Sequence, residues 1–346
     1  MKEKRSDKKV VTGLLGLCLL AAVLVSGGCL YRMFTRPNYV AARSYTLQIY
    51  PGDGLDKVLD CLQDSLARPD ELRRVARLMK LGDELRSGNY VVRPGMSSRA
   101  MVNMLRDGLQ TPVKVRFNNV RTLEQLAGLL SRQVMLDSLS LLEAFQSQAL
   151  MDSMGFTPET VPALFIPDTY EVWWNASSDR LMKTFVRAYQ RFWNDERVAK
   201  AARLSLSEVE VSILASIVEE ETNMAAEWPV IAGLYLNRMR RNMYLQACPT
   251  IKFALNDFAL QRILKVHTQV ESDYNTYTHL GLPPGPIRIP SVAVLEAVLN
   301  AEENNYLYMC AKDDFSGSHF FSSTLAQHNR YAERYHQALN RRRIYH

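Results

Sequence analysis

Residues 208–222 read EVEVSILASIVEEET, and the periodicity of this stretch decides what is built around it. At about 100° per residue, Val209, Val211, Ile213, Leu214, Ile217 and Val218 form a broad apolar arc, with Ser212 and Ser216 on the opposite, polar side. Ser207 and Glu210 have capping-box spacing at the start. The expected element is an amphipathic helix over 208–221 that ends in three carboxylates. Glu219 falls on the serine side, whereas Glu221 lies one turn beyond Ile217 and Leu214 on the apolar arc.

A carboxyl group aimed at a buried face should resist ionisation. Desolvation, the charges of Glu219 and Glu220, and the negative end of a helix all disfavour a further anion. A carboxylic acid that keeps its proton near neutral pH can protonate a poorly basic bridging oxygen, which is what cleavage of a glycosidic bond requires. The ordinary fate of a Glu run near a helix end is solvation, so the pattern alone does not decide for catalysis.

Working outward, residues 135–346 read as mainly helical. SLSLLEAFQSQALMDSM (138–154), DRLMKTFVRAYQRFWNDERVAKAA (179–202) and PVIAGLYLNRMRR (229–241) are expected helices, the second a single long one. PALFIPDTYEVWW (162–174) reads as loop and strand, YLYMCA (306–311) as a strand, with a last helix after it. Polar groups gather in this half: Asn237 and Arg238, Gln246 and Thr250, Tyr274, Asn275 and Tyr277 before the stiff GLPPGP turn (281–286), then His319, Phe321, His328 and Asn329. Rigid Pro/Gly backbone beside Tyr, Asn and Thr offers stacking faces and amides of the kind sugar rings need. The plainer reading of each is a packed turn, a helix-surface pair or a structural histidine.

Nearer the N-terminus, three units share one pattern of strand, turn and amphipathic helix: Tyr45–Gly52 into LDKVLDCL, Tyr90–Gly95 into SSRAMVNML, and Val113–Asn119 into TLEQLAGLL. Ser97 and Thr122 can cap the helices that follow them. DELRRVARLMKL (70–81) supplies a further helix, and the module ends near 120–130. The fold class is therefore α+β.

The apolar fraction of 47% and charged fraction of 23% fit a globular chain and exclude extended disorder. Of the net charge of +6, residues 1–36 carry +5, so the basic character is a terminal feature and nucleic-acid binding is not implied. Val10–Leu30 contains no charged residue in 21 positions, enough for a helix to span a bilayer. Lys/Arg density before it favours the N-terminus inside. A retained anchor is the favoured reading, over a cleaved signal or lipid attachment at Cys29. Five cysteines, three of them beyond the apolar run, exclude a disulfide scaffold and leave pairing of Cys248 with Cys310 open. With no CxxC, no HExxH and no His cluster, neither a metal nor a cofactor is implied.

At PDTYE (167–171), LASIVEEET (214–222), IAGLYLNRMRRNMYLQACPT (231–250), YNTYTHLGLPPGPI (274–287), YLYMCA (306–311) and GSHFFSSTLAQHN (317–329), the chain resembles the YceG-like family, the endolytic murein transglycosylases (MltG). The motifs keep the family's order over nearly the whole region beyond the apolar run. The resemblance implies a cytoplasmic tail (1–9), a transmembrane helix (10–31), a LysM-like module (45–130) and a catalytic domain (135–346) facing the periplasm from the inner membrane. It implies cleavage between N-acetylmuramic acid and N-acetylglucosamine in nascent glycan strands, leaving 1,6-anhydro ends, with cell-wall synthases as further partners. The second Glu of the family's Glu-x-Glu-Thr motif is catalytic and falls on Glu221. Cleft roles carry over more loosely to Asn237, Gln246, Tyr274, Asn275 and His319. Two departures bear on subsite detail: Ala247-Cys248 stands where the family has Thr-Asp, and Ile289 where it has Asn. A hydrolytic muramidase using the same Glu, and a non-catalytic glycan-binding scaffold, are the rival readings.

Overall fold

The computed structural model describes residues 3–83, 85–260 and 262–342. It is α+β, mostly helical, with small two-stranded sheets. The chain divides into two compact units: residues up to Val113 together with Glu171–Asn175, and Lys114–Tyr170 together with Ala176 onward.

In the first unit a helix runs over Glu3–Thr35. Its stretch Leu14–Thr35, of 22 residues and mean hydropathy 2.2, is long and apolar enough to cross a membrane. Leu17, Leu19 and Leu24 on it are 66–69% exposed. Of the expected tail, residues 3–9 continue the helix, while residues 1–2 lie outside the described residues.

Strand Tyr45–Ile49 pairs antiparallel with Gly88–Val92, setting Leu47 opposite Tyr90. Helices Leu55–Leu62, Pro69–Leu78 and Ser98–Asp107 bury Val58, Leu62, Leu72, Val75, Met101 and Leu105 against them. These are the apolar faces that the 3.6-residue period announces. The third strand and helix, Val113–Arg116 and Leu123–Leu130, form as expected, but from Lys114 on they belong to the second unit. Aromatic packing is the reason. Phe117 stacks on Tyr170 at 5.8 Å between centroids and meets the edge of Phe185 at 5.9 Å, so its burial partners come from much later in the chain.

Two expected helices are each broken in two. Ser138–Phe145 and Gln148–Met154 replace the first, and Ser178–Phe192 and Asp195–Arg203 the second. At the second break Asn194 acts as an N-cap, its side chain accepting from Arg197 N at 3.0 Å. Continuous apolar periodicity across 178–203 concealed a cap that starts a new helix.

The helix Glu208–Glu221 is the centre of the second unit. Its capping box is formed: Ser207 Oγ accepts from Glu210 N at 3.2 Å, and Glu210 Oε2 accepts from Ser207 N at 2.8 Å. Ser207→Ala should cost about 1 kcal/mol of stability, read as a lower urea midpoint at unchanged slope.

The expected polar side of this helix is not solvent-facing. Every residue from Val211 to Val218 is buried, both serines included, because helices Trp228–Arg240, Cys248–Ala254 and Val292–Leu299 all pack on it. Ser212 Oγ donates to Glu208 O at 3.0 Å, and Ser216 Oγ donates to Ile213 O at 2.7 Å. Ser216 Oγ also accepts from Ile287 N at 3.0 Å, which seats the end of the Pro/Gly turn on the helix. That turn needs Gly285, since a Cβ there would stand 1.9 Å from the Glu159 carbonyl oxygen. A hairpin of Tyr308–Ala311 and His319–Ser322, with Ala311 opposite His319, precedes the last helix, Leu325–Arg341.

Candidate active site

Glu221 closes the helix Glu208–Glu221 and lines a cavity of about 350 Å³ with Tyr235, Arg238, Gln246, Cys248, Tyr277, Cys310, His319 and His328 among its walls. The residue is partly exposed and lines that cavity. Its Oε1 accepts a hydrogen bond from the Tyr235 hydroxyl at 2.6 Å.

Burial is the dominant influence on Glu221 and pushes its pKa above the usual carboxylate value. The Tyr235 hydroxyl and the charges of His319, Arg238 and Lys252 pull the other way. Neighbouring Glu219 and Glu220 do not supply the expected repulsion, because both are neutralised elsewhere. Glu219 Oε2 meets Arg288 Nε at 3.2 Å and accepts from Ser291 N at 3.0 Å. Glu220 accepts from Arg121 Nη2 with both oxygens at 2.9 Å and from Arg288 Nη1 at 2.6 Å.

The remaining walls are tied down by their own hydrogen bonds. Arg238 is buried and donates to Leu307 O at 2.6 Å and Leu245 O at 2.8 Å, so its charge is held in place beside the cavity. Gln246 sits at φ 51°, a left-handed conformation uncommon for a side-chain-bearing residue, with its N–H on Thr276 O at 3.0 Å. Tyr277 OH lies 3.2 Å from Cys248 Sγ, and burial raises both groups. His328 is lowered by burial and by Arg238. Cys248 and Cys310 are both free thiols here.

Tyr235→Phe should move the titration of Glu221 further upward. The hydroxyl bonds the carboxylate more strongly than the acid, so its loss favours the protonated form. A carbon-13 NMR titration of the Glu221 carboxyl reads the change, and an unmoved or lowered midpoint would contradict it.

Of the residues singled out from the sequence, Glu221, Arg238, Gln246, Tyr277, His319 and His328 line this one cavity. The others lie apart from the cavity walls. Asn237 Nδ2 donates to Asn304 O at 2.8 Å and Tyr306 O at 3.1 Å, holding the loop before the hairpin. Thr250 is buried on Ala247 O and Thr276 Oγ1. Asn275 is buried too, donating to Thr268 O and Val270 O and accepting from Tyr277 N, so it shapes the segment that presents Tyr277. Tyr274 packs on Phe253 at 4.7 Å, and burial pushes its phenol up to about 12. Asn329 is exposed on the last helix, one residue past His328. Glu219 is bound to Arg288 as described. Tyr235, Cys248 and Cys310 were not singled out for the cavity. Tyr235 follows a run of apolar residues, but it stands three before Arg238 and so on the same helix face, a spacing that could have found it. Among the described residues no group of His, Cys, Asp and Glu is disposed to hold a metal ion.

Comparison with known proteins bears on this arrangement. The YceG-like family pattern matches residues 47–334. A crystal structure of a yceG-like protein from Listeria monocytogenes covers 84% of this chain and 99% of its own, with a TM-score of 0.56 and 25% identity. The endolytic murein transglycosylase of Bacillus subtilis is 36% identical over 127 residues, which are 37% of this chain and 34% of that protein. The Streptococcus pneumoniae protein of the same name is 32% identical over 136 residues, 38% of this chain and 24% of that protein. The chain thus spans about a third or less of the length of the curated relatives it matches. Since the family pattern extends over most of the sequence, from the first strand through the final helix, the chain belongs to the YceG-like family.

Proposed function

We propose that the protein is an endolytic peptidoglycan lytic transglycosylase with Glu221 as its single acid/base. The observation that carries this reading is a carboxyl group whose burial favours the protonated form, opening on a cavity of ligand-accommodating size. Similarity to proteins named endolytic murein transglycosylases supports the same chemistry.

In this mechanism Glu221 gives its proton to the glycosidic oxygen between N-acetylmuramic acid and N-acetylglucosamine as an oxocarbenium-like state develops. The C1–O bond breaks and the N-acetylglucosamine hydroxyl leaves. The Glu221 carboxylate then takes the proton of the muramoyl 6-hydroxyl while O6 bonds to C1. Glu221 ends as it began, and no water is consumed. The substrate supplies the nucleophile, and the high effective concentration of an internal hydroxyl favours ring closure over hydrolysis. Arg238, Gln246, Tyr277 and His319 are the proposed sugar-contacting walls.

The rest of the reading is of the same kind. The helix with Leu14–Thr35 anchors the protein once in the inner membrane, the second unit faces the periplasm, and residues 45–130 act as a LysM-like glycan-binding module. Cell-wall synthases are the expected partners. Mass analysis of products from purified glycan strands is the test: 1,6-anhydro-muramoyl ends support the proposal, reducing ends replace it with a muramidase, and binding without product replaces it with a scaffold.

A further inference from the structure

Eight residues after the start of the carboxylate run, Glu227 makes a contact that the proposed mechanism does not use. Its Oε1 accepts from His319 N at 2.7 Å and its Oε2 from His319 Nδ1 at 2.8 Å. Both partners are largely buried, at 16% and 13% exposed for the histidine and the glutamate. One carboxylate therefore grips the backbone and the ring of the same residue, which removes the freedom of the ring to turn. With Nδ1 donating to Glu227, Nε2 is the ring nitrogen left for the cavity that His319 lines with Glu221.

Glu227 is also tied to the chain that leaves Glu221, its Oε2 accepting from Thr222 Oγ1 at 3.4 Å. Thr222 directly follows Glu221, its Oγ1 accepts from Met224 N at 3.0 Å, and its carbonyl accepts from Trp228 Nε1 at 3.0 Å. The segment 222–228 is thus a knitted turn that carries Glu227 back toward the hairpin strand His319–Ser322.

We propose that Glu227 is a positioning residue that orients His319 so that its ring stabilises the Glu221 carboxylate between the two proton transfers. This rests on the reading of Glu221 as acid/base. Once the leaving oxygen has taken the proton, Glu221 is a buried anion that must persist until the muramoyl 6-hydroxyl delivers its own. Desolvation opposes that anion, and His319 is among the charges that favour it. The other titratable groups around Glu221 are Tyr235 and Arg238 from the helix Trp228–Arg240, Cys248 and Lys252 from the helix Cys248–Ala254, Cys310 from the strand Tyr308–Ala311, and Tyr277 and His328 across the cavity. Of these, Arg238 is spent on main-chain carbonyls, so its charge is fixed whatever the reaction stage. His319 alone among these cations is held by a carboxylate, through its Nδ1.

The test uses the full-length protein on purified glycan strands, with E227Q, H319N and the double variant. In E227Q, kcat should fall about a hundredfold, the cost of misplacing a reacting group by about 1 Å, with KM changed less than about threefold. The high-pH limb of the rate profile should move up, since His319 holds the Glu221 pKa down and its misplacement favours protonated Glu221. Adding E227Q to H319N should cost nothing further, because Glu227 acts through His319. Multiplying losses in the double variant, or a lowered kcat at an unmoved pH limb, would overturn the proposal and leave Glu227 a structural residue. If E227Q does not fold, H319N alone must still move the limb upward, and a stationary limb there overturns the idea. Should wild-type protein release no anhydro ends, it is the proposed function that fails, and the two failures are told apart.

Discussion

Glu221→Gln is expected to lower release of 1,6-anhydro ends by at least about a thousandfold, within the range that loss of a general acid/base costs. The effect should be larger than for a two-residue dyad, because one carboxyl performs both proton transfers and no second group inherits either. The amide is isosteric and keeps an acceptor for the Tyr235 hydroxyl, so the cavity should persist. Stability gives a second reading with a definite sign. The folded-state pKa of Glu221 lies above its ordinary value of 4.5. Between those two values the unfolded chain ionises first and the native state pays desolvation, so native stability falls as pH rises through that window. Glu221→Gln removes this penalty. Thermal unfolding should therefore occur at higher temperature than wild type at pH 8, with the gap closing at pH 4. Undiminished anhydro release by the variant would end the assignment of Glu221; a variant less stable than wild type at pH 8 would end the claim that the site is held under strain of burial.

Arg288→Ala is expected to destabilise the second unit by about 3–5 kcal/mol, the cost of leaving a buried charge without its partner. Arg288 is 10% exposed and sits between Glu219 at 3.2 Å and Glu220 at 2.6 Å, with Asn119 Oδ1 accepting from its Nη2 at 2.7 Å. Arg121 remains for Glu220, but Glu219 keeps only Ser291 N. The loss should shrink at low pH, where the stranded carboxylates take up protons. Urea unfolding at two pH values measures it. An unchanged midpoint would mean that Arg288 contributes no more than its desolvation costs. Arg288→Lys should rescue only in part, since a single ammonium cannot reach two carboxylates and an amide oxygen with a planar fork.

Reading the sequence located the helix Glu208–Glu221, its capping box and its last carboxylate, because each is a local matter of period and side-chain type. The same reading treated Ser212 and Ser216 as a wet face. Period alone cannot tell a serine in water from one that satisfies its hydroxyl on the preceding turn and then receives Ile287 N. It also merged residues 179–202 into one helix, since Asn194 as a cap competes with an apolar stripe that runs on past it. Like-charge repulsion within Glu219–Glu221 was a fair expectation from adjacency. It failed because Arg288, almost seventy positions away, answers both neighbours.

What the chain order and residue types determined alone was the α+β class, the apolar N-terminal helix, and a motif-rich second half centred on Glu221. Those follow from interactions within a turn or two of helix, which the local sequence contains in full. The tertiary structure alone decided which polar groups face one another: Tyr235 on Glu221, Glu227 on His319, Asn237 and Asn275 turned to loop carbonyls. Such pairings depend on how distant helices pack, and burial makes each buried polar atom find whatever partner that packing brings within about 3 Å. The composition of the cavity is therefore a property of the packed core, not of any segment that lines it.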